Sequence, residues 1–247
     1  MYSWRNYKHK VSKYFKFSLQ EILGMLFTII VCAFIMSFTK WGTTKFNLGM
    51  GLFNFFNTAL IVLMILVVQE SIHRLVALLA GYQVKYKPWK LGLIIGLVLV
   101  FFSNGSLTFI VPGGIVVTHL AVHRIGKFRY GPNYNNIGWI AMTGPIACIL
   151  MAIIFKLLSY ITPNSLLFIS AMNIAILFAV IGLLPIPPLN GHQLFFGSRY
   201  IYIGVCGLVL AAAGALYFMG VFGTILSALI FGALAMILYF VFVDKQW

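Results

Sequence analysis

The sequence predicts an all-α polytopic membrane protein. It has about six transmembrane helices, with a re-entrant or β-hairpin-like insertion between the second and third. Three observations carry that reading. Hydrophobic residues make up 62% of the 247 and charged residues only 8%, and mean hydropathy is +1.02. The surface of a water-soluble domain of this length needs far more charge. Second, the apolar residues fall into runs of bilayer-crossing length, broken by short polar connectors. Third, the formal charge of +14 is carried mainly by the connectors and the N-terminal arm. In so apolar a chain this reads as contact with an anionic lipid leaflet, which makes the bilayer an expected partner and nucleic acid not one. The chain is expected to be one membrane-embedded domain, residues 1–247.

Residues 1–17 carry Arg5, Lys8, Lys10, Lys13 and Lys16 among aromatics and read as a basic amphipathic arm on the membrane surface. The apolar run that follows is longer than a signal peptide's core and lacks a small-residue cleavage site, so it reads as a retained helix. Span 1 covers 17–38, with Glu21 near its start, where an interfacial ion pair is expected. Span 2 covers 52–79. A basic, aromatic connector follows at 81–90, then an apolar piece at 91–102 and a second at 107–117, interrupted by Pro112-Gly113-Gly114. Neither piece is long enough to cross as a helix, and the second is rich in β-branched residues. The pair forms the expected insertion, which has to be covered by protein or line a cavity because exposed strand edges cannot face lipid.

A basic loop with His119, His123, Arg124, Lys127 and Arg129 leads to span 3 at 137–161, which contains Gly144-Pro145. The two histidines read as solvated loop residues. Span 4 covers 166–184 and runs into Pro185-Ile186-Pro187-Pro188-Leu189-Asn190-Gly191-His192. Spans 5 and 6, at 201–218 and 221–243, form a glycine- and alanine-rich C-terminal hairpin suited to close helix packing. Cys32, Cys148 and Cys206 lie in apolar segments and read as small packing residues rather than a disulfide framework.

The basic residues orient these spans. With the N-terminus in the cytoplasm, only Lys40, Lys45 and Lys156 of the 17 basic residues fall on the far side. The expected location is the cell membrane, with both termini cytoplasmic. The C-terminal ends of spans 2 and 4 then reach the same face, so residues 69–73 and 185–192 can meet.

That meeting matters because of Gln69-Glu70-Ser71-Ile72-His73. Glu70 is one of three acidic residues in the whole chain. Gln69 and His73, four apart, share a helix face, and Glu70 sits three before His73. With histidine at 69 this would be the H-E-x-x-H zinc motif, with two ligands one turn apart and a glutamate as general base. Gln69 instead offers an amide oxygen, a poorer zinc ligand than imidazole. Glu70 also precedes Arg74 by four, which suits a helical ion pair.

The pattern resembles the site-2 protease family of intramembrane zinc metalloproteases, in the manner of its archaeal branch. The resemblance runs through 52–196. Leu183-Leu184-Pro185-Ile186-Pro187-Pro188-Leu189-Asn190-Gly191 is similar to the family's motif for the third ligand, with Asn190 where aspartate belongs. Ala141-Met142-Thr143-Gly144-Pro145-Ile146-Ala147-Cys148 is similar to its A-x-x-G-P-x-x-N element, with Cys148 at the asparagine position, and Asn173-Ile174-Ala175 resembles the start of its later helix.

The resemblance implies zinc as cofactor, His73 as a ligand, Asn190 and Gln69 as degenerate ligands, and Glu70 as catalytic base. His192, two residues past Asn190, is a candidate replacement ligand. Pro112, Gly113 and Gly114 correspond to a membrane-inserted strand that engages substrate, and the implied partner is a membrane-spanning protein or peptide. Two readings follow: a zinc metalloprotease weakened by its two amides, or a non-catalytic relative that binds or presents membrane proteins. A small transporter is the third class, but the spans offer few polar residues to line a path.

Overall fold

The computed structural model describes residues 4–42, 46–120, 133–163 and 165–243. Lys45, His123, Arg124, Lys127 and Arg129 lie outside the described residues. The order is α1 (Trp4–Tyr14), α2 (Leu19–Ser37), α3 (Leu48–Ala80), β1 (Tyr82–Pro88), α4 (Lys90–Phe102), β2 (Gly113–His119), α5 (Tyr134–Ile161), α6 (Ser165–Gly182), α7 (Asn190–Gly197), α8 (Arg199–Phe218) and α9 (Val221–Phe242). Six segments are long and apolar enough to cross a bilayer: Leu19–Lys40, Leu48–Ala80, Tyr134–Ile161, Ser165–Gly182, Arg199–Phe218 and Val221–Phe242. They coincide with the six expected spans, and the chain is an integral membrane protein of all-α architecture. Large apolar side chains such as Phe27, Ile30, Leu60, Met64 and Phe231 stand exposed on these helices, as a lipid-facing surface requires.

Local signals set the helix ends. Ser18 caps α2: its hydroxyl accepts from the Glu21 amide at 3.3 Å, and the Glu21 carboxylate accepts from the Ser18 amide at 2.8 Å. This is the reciprocal capping box of an S-x-x-E sequence. Asn47 caps α3 by accepting from Met50 N–H at 3.2 Å. With 33 residues, α3 is about 50 Å long and outruns the hydrocarbon core. Helix α5 lies at the centre and packs against α3, α6, α7 and α8. Lys156, buried in α5, donates to the carbonyls of Leu216 and Met219 at the C-terminal end of α8. It supplies the partners that a helix's last carbonyls lack.

The insertion differs from expectation in one respect. The connector after α3 is itself a strand, and it pairs antiparallel with β2, from Tyr82 opposite His119 to Pro88 opposite Gly113. The two strands are therefore joined through α4, a helix of 13 residues that is too short to span. Alternating Lys85 and Lys87 with Tyr82, Val84 and Tyr86 is the period-2 signal of a half-buried strand: the three apolar residues are buried.

The outer edge of β1 is covered by side chains from neighbouring helices. Glu21 accepts from the Tyr86 amide at 2.9 Å and Arg74 donates to Val84 O at 3.1 Å. That satisfies the condition that a sheet edge in an apolar region be paired by protein. Burial pushes the Tyr86 phenol well above its ordinary range. It stays protonated and donates to Pro112 O at 2.8 Å, which ties the two strands' far ends together.

Candidate functional site

The α3 stretch, the Gly144 turn of α5 and the first residue of α7 converge. Glu70, His73 and Asn190 are all buried, His73 completely. Glu70 Oε1 lies 3.4 Å from His73 Nδ1, close enough to pair electrostatically but without hydrogen-bonding geometry. On the other side of the ring, the Asn190 amide nitrogen lies 3.5 Å from His73 Nε2. The two residues are 117 apart in sequence. Gln69, half-buried, accepts through Oε1 from the Cys148 thiol at 3.4 Å.

Two glycines make this approach possible. A methyl group at Gly144 would lie 2.6 Å from His73 Nε2 and would overlap the Asn190 amide. One at Gly191 would strike the Leu183 carbonyl. Thus Gly144 lets α5 press its backbone against the site, and Gly191 lets α7 fold back onto the end of α6 with Asn190 aimed inward.

Three buried polar atoms here lack a hydrogen-bond partner: Glu70 Oε2, His73 Nδ1 and Asn190 Oδ1. Buried polar groups are nearly always satisfied, so three orphans at one point mark a place built to face a further polar species. Zinc is the species the resemblance implies. The 3.5 Å from the Asn190 amide nitrogen to His73 Nε2 brings the two side-chain ends about as close as ligand atoms on one tetrahedral ion, whose roughly 2.0–2.1 Å bonds put them about 3.4 Å apart, but the facing nitrogen is a donor and not a ligand. The donor chemistry does not suit it. One imidazole faces two neutral carboxamides, Gln69 is engaged by Cys148, and among the described residues no three His, Cys, Asp or Glu side chains gather in a metal-sized group. A zinc shell is built from thiolates, imidazoles and carboxylates, so the residues present do not fit a resident zinc ion.

The remaining candidates lie beside this point. His192 packs against Phe196 with the rings tilted and their centroids 4.7 Å apart. It lines a cavity of about 670 Å³ between β2 and α7, together with Ile115, Val117, Pro188 and Gln193. Pro112, Gly113 and Gly114 are buried, and a methyl at Gly114 would overlap the Pro188 backbone. They seat β2 against the proline loop, while the next residues, Ile115 to Val117, form the wall of the cavity. Ile115 O accepts from the Gln193 side chain. His119 packs against Tyr82 in a tilted arrangement, 5.1 Å between centroids.

The helical ion pair expected within α3 is replaced by a longer-range one. Arg74 turns to Glu21, 2.6 Å away and also buried, and not to Glu70. Its guanidinium donates as well to Lys16 O at 3.1 Å and stacks over Phe17 at 4.0 Å. This leaves Glu70 without a lysine or arginine partner among the described residues. For Glu21 an interfacial ion pair is expected near the start of span 1, and the fold makes Arg74 its partner, with both side chains buried.

The fold and site thus define a polytopic membrane protein with a buried Glu–His–Asn cluster where two helix ends and an inserted sheet meet. A protein of Methanocaldococcus jannaschii that bears the name "Putative zinc metalloprotease" is similar to this chain: 28% identical over 200 residues, covering 79% of this chain and 93% of the relative. No family model matches the chain, and no solved structure matches it.

Proposed function

We propose that the chain is a site-2-protease-like membrane protein that has lost, or retains only weakly, zinc-dependent cleavage, and that it binds membrane-spanning polypeptides in the cavity between β2 and α7. The similarity to a protein named as a zinc metalloprotease supports a metalloprotease origin. The observation that carries the loss is the pair of carboxamides. Asn190 faces His73 where an anionic ligand belongs, and Gln69 faces Cys148.

The cavity retains the features of a peptide site. Ile115 and Val117, two apart on β2, turn their backbone groups to the same side. The Gln193 amide already engages the Ile115 carbonyl there. An extended segment adds to such an edge through its main chain, with alternate side chains entering flanking pockets. Apolar walls from Val116, Ile137 and Phe196 match the side chains of an unwound membrane helix. The distribution of Lys and Arg supports placing this cavity on the cytoplasmic face of the cell membrane, with both termini in the cytoplasm.

The test is metal analysis of the purified protein beside a transmembrane cleavage reporter. The expected result is substoichiometric zinc, cleavage absent or barely above background, and cellular function unaffected by Glu70→Gln. Near-stoichiometric zinc in the wild type, or efficient cleavage abolished by Glu70→Gln, overturns the proposal. Restoring Gln69→His together with Asn190→Asp is expected to recover zinc binding, since it returns two strong ligands to a geometry already of the right size.

A further inference from the structure

We infer that the cavity at the opposite end of α3 is a binding site for the phosphate headgroup of an anionic phospholipid. It has a volume of about 490 Å³ and opens between α3 and α6. Asn57 in its wall stands 13 residues before Glu70, so the cavity lies about 20 Å along the helix from the Glu–His–Asn cluster. It belongs to the other face of the membrane, where α2 and α5 end and α3 and α6 begin.

Its chemistry is divided. One wall is polar, with Lys40, Asn54, Asn57 and Ser165; the other, with Phe53 and Leu166, is apolar and exposed. Asn54 is held by donating its side-chain amide to the Lys40 carbonyl at 2.8 Å, which fixes the turn that carries the lysine. Lys40 has no ion-pair partner among the described residues. The two acidic side chains described, Glu21 and Glu70, are committed to Arg74 and His73 at the other end of the bundle. The fold thus places an ammonium and carboxamide and hydroxyl donors in a membrane-boundary cavity that no carboxylate among the described residues neutralises. The cavity suits an anion supplied from outside the chain. Phosphate accepts from all three donor types, and a lysine serves it as a point charge. The apolar rim gives the attached acyl chains a continuous path from the headgroup to the bilayer.

The experiment uses the full chain in neutral detergent. Retention of lipid is followed by native mass spectrometry and thermal stability by intrinsic fluorescence. The probes are dioleoylphosphatidylglycerol, dioleoylphosphatidylcholine and inorganic phosphate. Phosphatidylglycerol is expected to be retained and to raise the melting temperature, while phosphatidylcholine and inorganic phosphate leave both unchanged. Lys40→Gln and Asn57→Leu are each expected to weaken phosphatidylglycerol binding about tenfold, the loss typical of one charged or polar contact. Lys40→Arg is expected to preserve it. Should Lys40→Gln melt earlier than wild type without lipid, Asn57→Leu and Lys40→Arg carry the comparison. Equal retention of both lipids, undiminished retention in Lys40→Gln and Asn57→Leu, or full stabilisation by inorganic phosphate alone overturns the inference. The outcome is independent of zinc content and cleavage.

Discussion

Replacing Arg74 with methionine tests how the inserted sheet is held. The side chain joins three segments: it donates to the Lys16 carbonyl before α2, to the Val84 carbonyl on β1 and to the Glu21 carboxylate on α2. Methionine of similar length fills part of the volume but leaves Glu21 buried without its counter-charge and two carbonyls without donors. Removing one member of a buried ion pair costs about 3–5 kcal/mol, because the other charge remains desolvated. For a chain of this size that corresponds to roughly 6–20 °C in melting temperature. Glu21→Gln is milder, since an amide oxygen still accepts from Tyr86 N–H and from Arg74. The double variant Glu21→Gln/Arg74→Met removes both charges and is expected to melt above Arg74→Met alone. The assay is thermal unfolding in detergent by circular dichroism, with amide exchange on β1 as a local readout. If Arg74→Met melts within about 2 °C of wild type, or the double variant falls by the sum of the single losses, the pair does not anchor the sheet.

Further substitutions probe the other junctions. Gly144→Ala places a methyl 2.6 Å from His73 Nε2 and is expected to cost about 1–3 kcal/mol and to separate α5 from α7, read as a lower melting temperature. Gly114→Ala drives β2 away from the Pro188 backbone, and binding of a transmembrane peptide in the β2–α7 cavity should fall while the helical circular dichroism signal persists. Lys156→Met leaves the Leu216 and Met219 carbonyls without their donor and is expected to destabilise by about 1–3 kcal/mol, with early exchange of the α8 C-terminal turn.

The spans were legible because each is a local property: about 20 apolar residues must cross as a helix whatever surrounds them. The same holds for the α3 face shared by Gln69 and His73 and the brevity of 91–102; the Ser18–Glu21 capping box is equally local and emerged with the structure. Reading β1 as a connector had a physical cause. Its lysines and tyrosines suit a surface loop until β2, beyond an intervening helix, is known to pair with it. The Glu70–Arg74 pair suggested by spacing is not formed, for a similar reason. Helical spacing permits it, but Glu21 offers Arg74 a shorter contact within a network that also closes a strand edge.

By itself, then, the sequence determined the membrane class, the order of the spans and the residue types at the site, including the two carboxamides in place of stronger ligands. Only the tertiary structure decided that Asn190 meets His73 across 117 positions, that Gln69 answers to Cys148, and that Glu21 and Arg74 bind the sheet to the bundle. Periodicity and capping act within a few residues and are written locally. Which buried polar group finds which partner depends on helix packing, because in an apolar interior each group must be satisfied by whatever the fold brings within about 3 Å.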